Sequence, residues 1–245
     1  MTQELTTPGA SASGAVSETT PTVTRALLVC GVVAGPLYVV VALLQVLFRD
    51  GFDLGRHPLS LLSLGELGWI QITNFIVGGL LAVGFAVGLR RVLHPGRGGT
   101  WAPLLVGGYG LGLIAGGVFI ADPALGFPPG TPDGIPDQFS WHGLLHAFAP
   151  PLASLSLIVA CFVLARRFAG LGHRGWATYS AATGVAALAL SAWPNQATVS
   201  VRLAVAVVIG WTWVSVLATR LLVEPAATTG SVATRTAPRS QVEGG

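Results

Sequence analysis

The sequence has no lysine, only two cysteines and one methionine, and little charge of either sign, with 9% of its 245 residues ionised. A soluble globular domain carries about a quarter charged residues, so that class is excluded. Two cysteines, Cys30 and Cys161, both inside apolar stretches, do not make a disulfide scaffold and read as small apolar side chains. No GxSxG elbow, P-loop, HExxH helix or CxxC pair occurs, which removes the sequence signatures of the commonest hydrolase, nucleotide, zincin and redox sites. The net charge of +3 rests on thirteen arginines. Most of them flank apolar runs, which is the pattern of topology determinants and not of a nucleic-acid surface.

What the chain has instead is apolar length. Hydrophobic residues make up 52% of it and the mean hydropathy is +0.69. Six continuous stretches run approximately over 26–48, 69–89, 101–121, 144–165, 176–193 and 203–222. Each is close to the roughly 20 residues that cross a bilayer core as a helix. A membrane β-barrel needs short alternating strands, which these runs are not. The expected fold is therefore all-α: one polytopic bundle of six transmembrane helices over 25–222. The flanking segments 1–24 and 223–245 are too poor in large apolar groups to fold alone and are expected to be disordered cytoplasmic tails. No secretory signal peptide or lipidation motif is read in them.

Orientation follows from arginine. With the N-terminus inside, the cytoplasmic segments hold Arg25, Arg90, Arg91, Arg97, Arg166, Arg167, Arg174, Arg220, Arg235 and Arg239, against Arg49, Arg56 and Arg202 outside. That imbalance predicts both termini in the cytoplasm of a multi-pass plasma-membrane protein. Trp69, Trp141 and Trp193 then form one interfacial belt and Trp101 and Trp176 the other. The pattern Trp69…Arg90-Arg91…Trp101 is echoed by Trp141…Arg166-Arg167…Trp176; belts and positive-inside loops produce such an echo with or without a true repeat. Glycines spaced by four (Gly31/Gly35, Gly84/Gly88, Gly108/Gly112/Gly116) predict close helix packing within the chain.

The polar residues able to carry function gather at the expected outer end. The first outer loop contains Arg56 and His57, then Ser60, Ser63 and Glu66 in a leucine-rich segment expected to lie on, or dip into, the membrane surface. Asn74 follows, about 7 Å below Trp69 at 1.5 Å per residue. Asp122 closes helix 3, where the helix macrodipole disfavours a carboxylate, so a compensating partner is expected: Arg56, Arg202, a histidine or a metal. A proline-rich loop, expected to be a stiff cap, leads to Ser140 as the N-cap of helix 4. His142 and His146, at i and i+4, share one face of its first turns, half of a familiar zinc arrangement. Pro150-Pro151 frees the carbonyl of His146 and predicts a kink beside a cavity or site.

At Ser60…Gly65, Asp122-Pro123 and His142…His146 the sequence resembles an uncharacterised bacterial membrane family, domain of unknown function nine hundred and ninety-eight, over residues 27–220. The resemblance implies six spans and a membrane location, and no activity. A looser similarity links Ser60 or Ser63, Asp122, and His142 with His146 to the ceramidase and adiponectin-receptor-like zinc hydrolases. Those have seven helices, with the HxxxH pair in the last.

Three functions are compatible with this layout. The first is binding of a lipid or small hydrophobic ligand, or an accessory-subunit role, through a polar outer-leaflet site made of Arg56, Ser60, Ser63, Glu66, Asn74, Asp122, His142 and His146. The second is a lipid hydrolase with zinc on Asp122, His142 and His146. The third is a small-solute or proton-coupled transporter relaying through Asp122 and His146. The first is preferred, since no residue pattern demands chemistry. The partners expected are the bilayer and a lipid ligand, with no nucleic acid.

Overall fold

The structure, a computed structural model, describes residues 14–223, with side chains from Thr22. It contains six α-helices: α1 (Gly14–Phe48), α2 (Gly68–Leu93), α3 (Trp101–Val118), α4 (Trp141–Gly170), α5 (Arg174–Ala192) and α6 (Val199–Val223). Short 3-10 turns lie at Leu59–Ser63 and Gln196–Thr198. No β-strand occurs among the described residues. Each apolar stretch has thus become a helix, because a backbone without water must satisfy its N–H and C=O groups internally.

Five helical segments are long and apolar enough to cross a membrane: Thr22–Phe48, Gly68–Leu93, Trp101–Val118, Trp141–Gly170 and Gln196–Val223. The exception to the expected six is α5. Its 19 residues suffice in length, but Arg174, Thr178, Tyr179, Ser180, Thr183 and Ser191 dilute its apolar character. Ser180 and Thr183 are buried against the bundle, and Ser180 Oγ accepts from Trp213 Nε1 at 3.1 Å. The other boundary difference is at the start, where α1 begins at Gly14 and not near residue 26, so the helix overlaps part of the segment 1–24 expected to be unstructured. Residues 1–13 and the tail from 224 lie outside the described residues.

Consecutive helices pack side by side, and α6 closes the ring on α1; the α5–α6 seam is the most sparsely packed. The glycine spacing explains how the helices come together. A Cβ on Gly79 would fall 2.5 Å from Gly110 O, and one on Gly110 2.6 Å from Gly79 O, so α2 and α3 cross backbone to backbone. Gly35 meets Trp211 O of α6, and Gly112 meets Ala153 of α4. The glycine stripes thus face other helices of the same chain, as close packing in lipid requires.

Large exposed aromatics mark both ends. Trp69, Trp141 and Trp193 are each more than 60% exposed at the Asp122 end, and Trp101 at the arginine-rich end. That arrangement matches interfacial belts. The Asp122 end is covered. Leu61 and Leu62 of the 3-10 turn are buried, so the leucine-rich segment dips into the bundle mouth as a plug. Over it, Phe127 of the proline-rich loop packs edge-on to Phe52, with centroids 5.4 Å apart. His57, 3% exposed, fastens the two loops: Nδ1 accepts from Asp53 N–H at 2.9 Å, so Nε2–H donates to Leu125 O at 3.1 Å.

Candidate functional site

Asp122 has a partner, and it is none of the four expected. Its Oδ2 accepts from Ser140 N–H at 2.8 Å and its Oδ1 from Ser140 Oγ at 2.6 Å. The carboxylate at the negative end of α3 is therefore compensated by the positive end of α4. Ser140 Oγ accepts in turn from Gly143 N–H at 3.0 Å, the N-cap bond expected of it. Gly143 is required here, since a Cβ at 143 would overlap Asp122 Oδ2.

The two histidines complete the junction. The last carbonyls of α3 have no helical partners. His142 Nδ1 lies 2.9 Å from Ile120 O and 3.1 Å from Ser140 Oγ, and His146 Nδ1 lies 2.6 Å from Phe119 O and 3.1 Å from Gly116 O. A carbonyl only accepts, so both Nδ1 atoms carry the proton, and the pair at i, i+4 caps the end of α3. The histidines that suggest half a zinc site thus have a structural task. His146 Nε2 is buried with no protein hydrogen-bond partner.

The remaining candidates do not join this cluster. Arg56 forms an exposed ion pair with Asp133 at 2.5 Å. Ser63 Oγ donates to Ser60 O at 2.7 Å inside the 3-10 turn, and Glu66 is exposed beyond it. Asn74 belongs to a different group: its Nδ2 donates to Tyr38 O at 3.1 Å and to Gln71 Oε1 at 3.3 Å, and Gln71 Oε1 also accepts from Gln45 Nε2 at 2.8 Å. The single layer expected of Glu66, Asn74, Asp122, His142 and His146 is thus three places: a surface, an α1–α2 amide network and the α3–α4 junction. Arg49, just past α1, donates through Nη2 to Leu64 O and holds the plug from the other side. Its partial burial lowers the guanidinium pKa from the ordinary value.

Among the described residues no three His, Cys, Asp or Glu side chains are grouped to hold a metal ion. Both Asp122 oxygens are directed at Ser140. In this arrangement the Asp122 oxygens and the Nδ1 atoms of His142 and His146 are all engaged in hydrogen bonds within the α3–α4 junction.

A cavity lies in the interior beside Pro150. Its volume is about 460 Å³, and it opens between α4, α5 and α6, with Ser60 of the plug above it and Tyr38, Phe75 and Tyr109 forming its back wall. Its lining contains no carboxylate, imidazole or guanidinium. The tyrosines flank Trp211, with centroids 5.3 and 5.2 Å away, and that indole is fully buried. Pro151, Leu155, Leu188 and Ala192 line the cavity and are exposed on the outside of the bundle, so it reaches the surface between α4 and α5. The Pro150-Pro151 pair signals this cavity in the sequence. The aromatic wall and the amides carry no formal charge, so a search for ionisable residues in apolar runs passes over them.

A family model described as protein of unknown function, DUF998, matches residues 32–220. No curated protein matches the chain, and no solved structure does.

Proposed function

The chain belongs to the DUF998 family of proteins of unknown function, and since that membership brings no activity with it, we propose from the geometry that this is a lipid-binding membrane protein. It holds a lipid chain or a small hydrophobic molecule in the cavity between α4, α5 and α6. In this reading all six helices cross the plasma membrane, α5 with Ser180 and Thr183 buried against the bundle, with both termini cytoplasmic and the Asp122 end outside.

The observation that carries the reading is the cavity itself. Its volume of about 460 Å³ is in the range of roughly 300–1,000 Å³ of small-molecule sites, and its lining is apolar with a few hydroxyls, as such sites are. The Asp122, Ser140, His142 and His146 cluster supports the site mechanically, by locking the α3–α4 corner from which α4 descends past Pro150. A proton-coupled carrier would need titrating carboxylates or imidazoles along its path, and the cavity offers none.

The test is native mass spectrometry of protein extracted in mild detergent. The wild-type chain is expected to retain lipid-sized adducts. Ala187→Phe, which fills the cavity from α5, is expected to lose them while keeping the wild-type thermal unfolding profile. Equal adducts in both proteins would overturn the proposal.

A further inference from the structure

The lipid-binding reading leaves the polar part of the ligand undefined, and Arg202 defines it. The arginine lies at the start of α6, next to Leu203 of the cavity lining and across the turn from Ser191 and Ala192. It ties the α5–α6 turn together: Nε donates to Thr198 Oγ1 at 3.0 Å, Nη1 to Leu190 O at 2.5 Å and Nη2 to Asn195 O at 2.5 Å. These bonds use three of the five N–H donors of a guanidinium and leave one on each terminal nitrogen. All three acceptors are neutral. Residues 186–203 contain no Asp or Glu, and the one ion pair among the described residues is Arg56–Asp133. A partly buried cation with two uncommitted N–H donors thus stands beside residues of the cavity lining, with no Asp or Glu in the flanking segment 186–203.

We infer that the cavity takes an acyl chain of a glycerophospholipid, which enters sideways from the bilayer between α4 and α5, and that Arg202 binds the lipid phosphate at the rim. Two observations set this geometry. The side opening is lined by Pro151, Leu155, Leu188 and Ala192, residues exposed on the outside of the bundle. The path from above is closed by the 3-10 turn, which is fastened by Ser200 Oγ donating to Arg56 O at 3.0 Å and by Arg49 on Leu64 O. A chain arriving from the membrane therefore keeps its headgroup at the level of Trp193 and the α5–α6 turn, where Arg202 stands. Arginine is suited to phosphate because its planar fork gives two charge-assisted hydrogen bonds.

The inference rests on the lipid-binding reading, and the experiment separates the two. Delipidated protein is titrated with dioleoylphosphatidylglycerol and, separately, with dioleoylglycerol, which has the same chains and no phosphate, and bound species are counted by native mass spectrometry. The wild type is expected to prefer the phospholipid by about tenfold, the scale of one charge-assisted interaction. Arg202→Gln is expected to abolish the preference while dioleoylglycerol binding stays. Arg202→Lys, which keeps the cation and loses the planar fork, is expected to retain part of it. If Arg202→Gln loses binding of both lipids through collapse of the turn, the Lys variant decides: preference lost with dioleoylglycerol binding intact overturns the inference. An unchanged preference in Arg202→Gln overturns it too, and leaves the cavity reading standing. Displacement of phosphatidylglycerol by excess inorganic phosphate would mark a free-anion site and overturn the lipid assignment. Failure of either lipid to bind wild-type protein in a way that Ala187→Phe prevents would remove both readings.

Discussion

Residue 143 carries the least side chain possible because a carboxylate occupies the space beside it. Gly143→Ala is expected to push Asp122 off Ser140 and leave at least one partly buried polar group unmatched. The cost is about 2 kcal/mol or more, read as a lower unfolding temperature in detergent. Asp122→Asn keeps the shape and loses the ionised acceptor, and is expected to cost about 1–2 kcal/mol. If the Asp122→Asn variant proves as stable as wild type, the carboxylate is not what joins the two helix ends. The need of Asp122 for a partner is legible in the sequence, because Asp at a helix C-terminus opposes the dipole. The partner is not legible. Ser140 is 18 residues away, across a proline-rich loop whose path is set by Phe127 burying itself over the plug.

At the scale of elements, helices and their pairings differ in how much the sequence discloses. Apolar runs of this length admit only a helix, so α2, α3, α4 and α6 fall within a few residues of the expected ranges. What decides their pairing is smaller: a backbone crossing at Gly79 and Gly110, and a row of amides between α1 and α2. Gln45, Gln71, Asn74 and Tyr38 hold α1 against α2 where no water is available to replace them. Gln71→Leu is expected to destabilise by about 1–2 kcal/mol, the scale of interhelical polar bonds in membranes. Gln45→Leu and Gln71→Leu together should cost less than the sum of the two, because the second change removes a group the first has already orphaned. Strict additivity in a double-mutant cycle would show that the 2.8 Å contact between the two amides contributes nothing.

For the whole molecule, the bundle is an even-numbered ring, so its two ends are distinguished by arginine on one side and by the plug and cap on the other. The positive-inside reading predicts that the Thr131→Cys variant, with its thiol in the cap loop, reacts with a membrane-impermeant maleimide on intact cells. The Arg97→Cys and Gly172→Cys variants, altered in the turns at the opposite end, are expected to react only after permeabilisation. Cys30 and Cys161 lie within helices and should contribute little background. Labelling of Arg97→Cys and not of Thr131→Cys on intact cells would invert the topology. The cavity belongs to this scale as well. No local pattern spells it out, since its walls come from all six helices and the plug; Pro150-Pro151 marks the place, and only the assembled ring gives the volume.

The glycine crossing of α2 on α3 also bears on how this chain is free to vary over generations. At Gly79 and Gly110 every other amino acid begins with a carbon that has nowhere to go, so drift is closed there in both helices at once. At Gly170 and Gly175, around the turn from α4 to α5, no atom stands within 4 Å of an added Cβ. In a library of single substitutions, the α2–α3 seam should therefore stay monomorphic while the approach to α5 diversifies. Lineages of this chain would then come to differ at the arginine-rich end of α4 and α5 sooner than along the α2–α3 seam.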